Sequence, residues 1–401
     1  MDKYDVIVVG SGITGGWAAK EFCEKGFKTL VIERGRHITH RGPEYTDMQA
    51  PWQIDNRNLV PERIAEEGRY GNIINKGFFK PATQQFFADE SEHPISYPED
   101  KPFRWVRSYQ LGGRSVTWGR QVLRWGPKDF EANAKDGHGV PWPIGYDDLA
   151  PWYDRVESFI GVSANKDGLD VLPDGVFQKP WEMSCAERFI SDNLKKKYTD
   201  RHLIIGRAAN ITEPTPEQQS LGRTQCQARS YCKRGCSFGG YFSSLSATLP
   251  AAERTGNLTV VTDAIVETVD YDETTGRASG VTVIDAHSKE KRQYKARVVF
   301  CVPWHWAQYK SYLTPSLQLF PMVWRIAVVL WVTTSWTTLR ALLRMPKSPD
   351  LKILTLSVDV LLLLIFPITA MSKKTMPILF VVLATKLLRS IDRTRAQQQI
   401  K

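Results

Sequence analysis

The stretch that most constrains this chain is its first 35 residues. Val6-Ile7-Val8-Val9 runs into Gly10-Ser11-Gly12-Ile13-Thr14-Gly15, and Thr29-Leu30-Val31-Ile32-Glu33-Arg34-Gly35 follows. An unbroken apolar run bounded by turn residues is the pattern of a parallel strand buried on both faces. The three glycines then divide the work of a dinucleotide-binding turn. Gly10 allows the tight reversal, Gly12 lets a pyrophosphate approach the backbone, and Gly15 lets the following helix pack against the strand. Ile13 and Thr14 open that helix, whose first N–H groups and positive dipole end face the phosphate. Glu33 closes the next strand 18 residues after Gly15, where a carboxylate takes ribose hydroxyls. An acid there, followed by Arg34-Gly35, repels a 2′-phosphate, so the unit reads as a site for FAD rather than NADP.

At 401 residues the chain is long enough for two or three domains. Its six cysteines (Cys23, Cys185, Cys226, Cys232, Cys236, Cys301) are too few and too unevenly placed for a secreted disulfide framework. The first strand begins within a few residues of Met1 and leaves no room for a signal peptide, so a cytoplasmic protein is expected. The net charge of +10 suggests an anionic partner until it is located: residues 303–401 hold 13 Lys and Arg against 3 Asp and Glu, which is the whole excess. The body is neutral, no aromatic-and-basic motif accompanies the charge, and nucleic-acid binding is excluded as a reading.

Residues 36–104 show no period and read as loops over a core. Next come Tyr109-Gln110-Leu111-Gly112-Gly113-Arg114-Ser115-Val116-Thr117-Trp118, and Trp142-Pro143-Ile144-Gly145-Tyr146 running on through Leu149, Pro151, Tyr153 and Glu157. Paired glycines before small hydroxyl residues let backbone lie flat on a ligand. With the opening turn and Glu33, these motifs resemble the glucose–methanol–choline (GMC) flavin oxidoreductases, in the branch of gluconate dehydrogenase large subunits and pyranose oxidases, over residues 1 to about 301. The resemblance implies that Gly112, Gly113, Ser115 and Trp118 lie along the isoalloxazine ring. Thr117 stands where pyranose oxidases carry a flavin-linking His, which implies non-covalent FAD. Trp142 and Tyr146 read as packing residues.

Cys226, Cys232 and Cys236 fall within eleven residues. Thiolates at such spacing suit an iron–sulfur cluster, and some flavin sugar dehydrogenases of the family carry one; a structural thiol-rich loop is the other reading. Residues 256–271 alternate like strands, and the resemblance places Val266 near the adenine. Thr274-Thr275-Gly276-Arg277 reads as a hairpin turn, and Ala296–Cys301 as the last parallel strand.

After Cys301 the family pattern stops. Residues 303–401 contain neither Gly nor Glu, where average usage gives about seven Gly. The apolar runs 326–332, 358–368 and 377–385 suggest a membrane anchor, but spanning takes roughly 20 apolar residues, and Asp359, Pro367, Lys373 and Lys374 break the middle run. A one-base shift of frame accounts for the stretch better. Residues 304–315 then permit a small-residue turn and helix, 322–332 a Gly-rich segment, and 365–371 a Tyr-Arg-Asn stretch, in the family's order.

The sequence therefore predicts an α/β fold: a Rossmann-type FAD-binding domain with a parallel sheet and β-meander (1–45, 105–130, 220–301) and an incomplete substrate domain (46–104, 131–219). An anomalous tail over 302–401, irregular or helical and apolar, follows and is read as out-of-frame translation. The resemblance implies oxidation of the CH–OH group of a small sugar, polyol or alcohol, with hydride passing to FAD and then to a carrier other than NAD. It also implies a catalytic His near the true C-terminus, which has no in-frame match: His305 lies far from any such motif, and no catalytic residue is assigned. The competing expectations are membrane association through residues 323–385 and an electron-transfer module on the three thiols.

Overall fold

The computed structural model describes residues 3–97, 99–100, 105–137 and 142–302. The expectations for residues 303–401 lie outside the described residues.

Six strands of the described residues make one sheet: β1 (Lys3–Val9), β2 (Thr29–Ile32), β3 (Leu258–Val261), β4 (Ala264–Asp272), β5 (Arg277–Asp285) and β6 (Lys291–Cys301). Their order is β3-β2-β1-β6-β5-β4. The first four run parallel, with Val6 opposite Thr29 and Val298. β4, β5 and the first half of β6 form the antiparallel meander. β6 thus belongs to both parts: Lys291–Lys295 pair with β5, and Lys295–Cys301 with β1. Gly280 marks the close crossing, since a Cβ there would lie 2.1 Å from the Tyr294 carbonyl oxygen.

Among the described residues, seven α-helices accompany the sheet: α1 (Ile13–Glu24), α2 (Glu62–Glu66), α3 (Pro127–Lys135), α4 (Tyr146–Ile160), α5 (Cys185–Lys197), α6 (Pro216–Ser220) and α7 (Thr248–Glu253). The alternation of strand side chains explains two cores. Val6, Val8, Val31 and Phe300 pack under Ala18, Ala19 and Phe22 of α1 and Leu249 and Ala252 of α7. Ile7, Val9, Leu30 and Ile32 face the meander residues Ala264, Val266, Val281 and Val283. The sheet is covered on both faces, as its unbroken apolar runs require. On the far side of α1, Trp17 meets the Phe159 ring edge-on at 5.0 Å. Trp142 packs edge-on to Trp125 and Phe130, and the Tyr146 hydroxyl accepts from Arg124. Arg124 is itself paired with buried Glu157 of α4.

Candidate functional site

Gly10 has φ 95° and so adopts the left-handed conformation that only glycine takes without strain. Its N–H donates to Ile32 O at 2.8 Å, which ties the turn to β2. A Cβ on Gly15 would stand 1.8 Å from the Gly10 carbonyl oxygen, so α1 can approach β1 only with glycine at that position. At Gly12 a Cβ would meet nothing within 4 Å: the turn's outer face is open. Ile13 and Thr14 begin α1, and no side chain caps its first turn. Uncapped amides beside open space are the donor set an anionic diphosphate needs.

Glu33 is 7% exposed at the end of β2. Its Oε2 accepts from Ser11 N–H (3.0 Å) and Ser11 Oγ (2.6 Å), and Oε1 accepts from Gly35 N–H (2.9 Å). Burial pushes the carboxyl above its usual range, against the hydrogen bonds from Ser11 and Gly35. An ionised carboxylate offers about four acceptor positions, so Oε1 keeps one for a ligand hydroxyl. The backbone here is fixed by β3 and β4, as Glu33 N–H donates to Val261 O and Ala264 N–H donates to Glu33 O. Arg34 lies over the Tyr109 ring at 3.9 Å. Gly35 is required because a Cβ there would fall 2.0 Å from Gln110 N. This close approach brings the second glycine pair to the first.

Gly112 and Gly113 both have positive φ (79° and 49°). Gly112 N–H donates to Ser11 Oγ at 2.8 Å, and a Cβ on Gly113 would lie 3.6 Å from Gly12 Cα. Ser115 Oγ donates to Gly112 O (2.6 Å) and accepts from Ser244 N–H (3.0 Å), while Ser244 Oγ donates to Gly12 O (2.9 Å). Segments more than 100 residues apart are thereby joined around the open face of Gly12. Trp118 stands beside them with Nε1 donating to Phe242 O at 2.8 Å. The Thr117 hydroxyl is buried with no partner among the described residues. Val266 is 1% exposed and packs behind β1 and β2, in the second core. The sequence reading missed Ser11 and Ser244. Ser11 sits inside the turn itself, but its partners Glu33 and Gly112 are visible only in three dimensions.

The cysteine loop departs from the cluster expectation. Cys226, Cys232 and Cys236 are partly buried free thiols. Among the described residues, no three His, Cys, Asp or Glu side chains come together as a metal site. The loop is held by other contacts. Buried Asp47 binds Arg229 and accepts from Ser237 N–H (3.0 Å) and Ser237 Oγ (2.7 Å), while Gly235 lies against the Tyr45 ring and Gly240 against Cys226. The cluster expected on Cys226, Cys232 and Cys236 is thus not supported among the described residues. Nor is any helix of the described residues long and apolar enough to cross a membrane.

The comparisons agree with the geometry. The chain is 22% identical over 295 residues to the fructose dehydrogenase large subunit of Gluconobacter japonicus, covering 73% of this chain and 50% of that protein. It is 23% identical over 320 residues to the gluconate 2-dehydrogenase flavoprotein of Pantoea cypripedii, covering 72% and 49%. Over 168 residues it is 28% identical to paromamine 6′-oxidase of Streptomyces fradiae, covering 41% and 24%. The chain thus spans about half the length of the longest-matching curated relatives. The family model described as GMC oxidoreductase matches residues 4–305, which is most of the sequence, and the chain belongs to the GMC oxidoreductase family.

Proposed function

We propose that residues 1–301 are the FAD-binding half of an oxidoreductase acting on the CH–OH group of a small sugar, polyol or alcohol. The observation that carries this reading is Ser11, whose one hydroxyl joins the phosphate turn, the Glu33 carboxylate and the Gly112 backbone in a single cradle. FAD, held there without a covalent bond, would supply the acceptor for a hydride. The open face at Gly12 and the uncapped start of α1 fit its pyrophosphate, held by Gly10, Gly12, Ile13, Thr14 and Gly15. Glu33 accepts from ribose hydroxyls, and Arg34 flanks it. Gly112, Gly113, Ser115 and Trp118 would line the flavin ring, and Val266 would back the adenine. Thr117 has no ring nitrogen with which to form the covalent link. The substrate class follows the names of the relatives, a fructose and a gluconate dehydrogenase.

Removing the substrate's hydroxyl proton requires a base, and residues 1–301 offer no His in a catalytic pattern. In this reading residues 302–401 are translated out of frame and the chain as written does not turn over. Two observations support it: Gly and Glu vanish together from the tail, and one shift restores several family patterns in order.

Purified chain titrated with FAD should quench the flavin's fluorescence. Anaerobic addition of sugars or alcohols should leave the visible flavin absorbance unchanged. Failure to bind FAD would sink the cradle. Substrate-dependent bleaching would sink the claim of inactivity, and a nucleotide sequence with no GMC-like open frame beyond codon 302 would sink the account of the tail.

A further inference from the structure

Residues 165–205 enclose a cleft that the flavin cradle does not use. Its volume is about 760 Å³, within the roughly 300–1,000 Å³ of small-molecule sites, and it shares no lining residue with the cradle around Ser11. The walls are fixed by the chain's own hydrogen bonds. α5 starts at a capping box, in which Ser184 N–H donates to Glu187 and Glu187 N–H donates to Ser184 Oγ. Ser191 Oγ then ties α5 to Leu203 O at 3.1 Å. On another wall Asp174 accepts from Asp167 N–H (3.0 Å) and Gly168 N–H (2.9 Å), and buried Arg207 holds Asp174 at 2.8 Å. A ligand therefore meets a site already formed, which lowers the entropic cost of binding.

The lining is electrostatically unbalanced. Lys166, Lys179, Arg188 and Lys195 all border the cleft, and among the described residues none of the four forms an ion pair. Three carboxylates share the lining. Asp167 faces Arg207 Nη2 at 3.7 Å and is spent on that cation, while Glu182 and Asp192 pair with no cation among the described residues. Two such carboxylates against four such cations leave the cleft positive, and a concave surface concentrates that field. A simple anion would need only the cations. Trp181, 37% exposed in the same lining, adds aromatic surface for C–H groups, and Asn165 adds both donors and an acceptor. We propose that the cleft binds a sugar acid, its carboxylate among the four cations and its hydroxyls on Asn165, Glu182 and Asp192. The site stands independently of the flavin reading.

Calorimetric titration of the 401-residue chain with sodium gluconate at low ionic strength tests it. Gluconate should bind at least about tenfold more tightly than glucose, which lacks the charge, or acetate, which lacks the hydroxyls. Added salt should weaken it, because the cations are exposed. Lys179→Gln with Arg188→Gln should weaken gluconate about tenfold or more, as expected on removing charge-assisted contacts. Lys196→Gln with Lys197→Gln removes as much charge from α5 outside the cleft lining and should leave the affinity unchanged. Gluconate binding in a chain that fails to bind FAD would sink the cradle and uphold the cleft. Absence of gluconate binding, equal binding of glucose or acetate, or equal weakening by the two pairs of substitutions overturns the proposal.

Discussion

Ser11→Ala isolates the hydroxyl that holds the cradle together. The side chain is fully buried, and the substitution keeps the backbone N–H of residue 11 on Glu33 Oε2. Two contacts disappear. Because Gly112 N–H must donate to Ser11 Oγ, the Ser11 proton is committed to the carboxylate at 2.6 Å. A hydrogen bond to a charged group contributes about 1.5–3 kcal/mol, and the stranded Gly112 N–H costs about 1–3 kcal/mol more. A combined loss of about 3–5 kcal/mol is expected, a large share of the roughly 5–15 kcal/mol that holds a typical domain. Loss of the Ser11 bond also raises the Glu33 carboxyl further, since that bond lowers it. Urea denaturation followed by tryptophan fluorescence reads the stability, and flavin titration reads the site. A fall of less than about 1 kcal/mol, with FAD affinity unchanged, would refute the idea that this hydroxyl organises the cradle.

Two further outcomes follow from buried titratable groups. The folded Glu33 carboxyl lies above its ordinary value, chiefly through burial. Its contribution to stability is therefore complete below the unfolded pKa and lost as pH rises through the folded one. Glu33→Gln turns an amide NH2 towards either the two Ser11 donors or the Gly35 N–H, so it should weaken FAD binding and lower urea resistance while removing the decline in stability as pH rises; unchanged affinity with an unchanged pH profile would contradict this. His40 has the opposite sign. Both its ring nitrogens are buried with no hydrogen-bond partner among the described residues, and burial, helped by Arg41 and Arg223, lowers it from 6.5 to about 4. Its contribution is present above pH 6.5 and lost as pH falls towards 4, to a maximum of about 3 kcal/mol. His40→Leu should flatten that part of the stability–pH profile, and an unchanged acid slope would rule it out.

What the sequence disclosed was what depends on short spacing. The run Val6–Val9, the glycines at 10, 12 and 15 and the acid at 33 lie within one strand–helix–strand unit, and their conformational demands are local. Gly112 and Gly113 were legible for the same reason. What joins the two turns was not: Ser11 reaches Gly112 across 101 residues, Ser244 reaches Gly12 across 232, and no periodicity encodes such contacts. The three thiols misled because spacing alone resembles a ligand set, while Asp47, 190 residues from Ser237, holds the loop instead.

The place of β6 sets the order of events during synthesis. β1 is a central strand, yet one of its two neighbours is β6, with Lys3 opposite Lys295. At ribosomal rates of about 5–20 residues per second, that partner emerges about 15–60 s after β1. Through this interval one edge of β1 stays unpaired along its apolar run Val6–Val9, and contacts of such long sequence separation form slowly. The nascent protein should therefore depend on chaperone protection until its last described strand is made, whatever polypeptide follows.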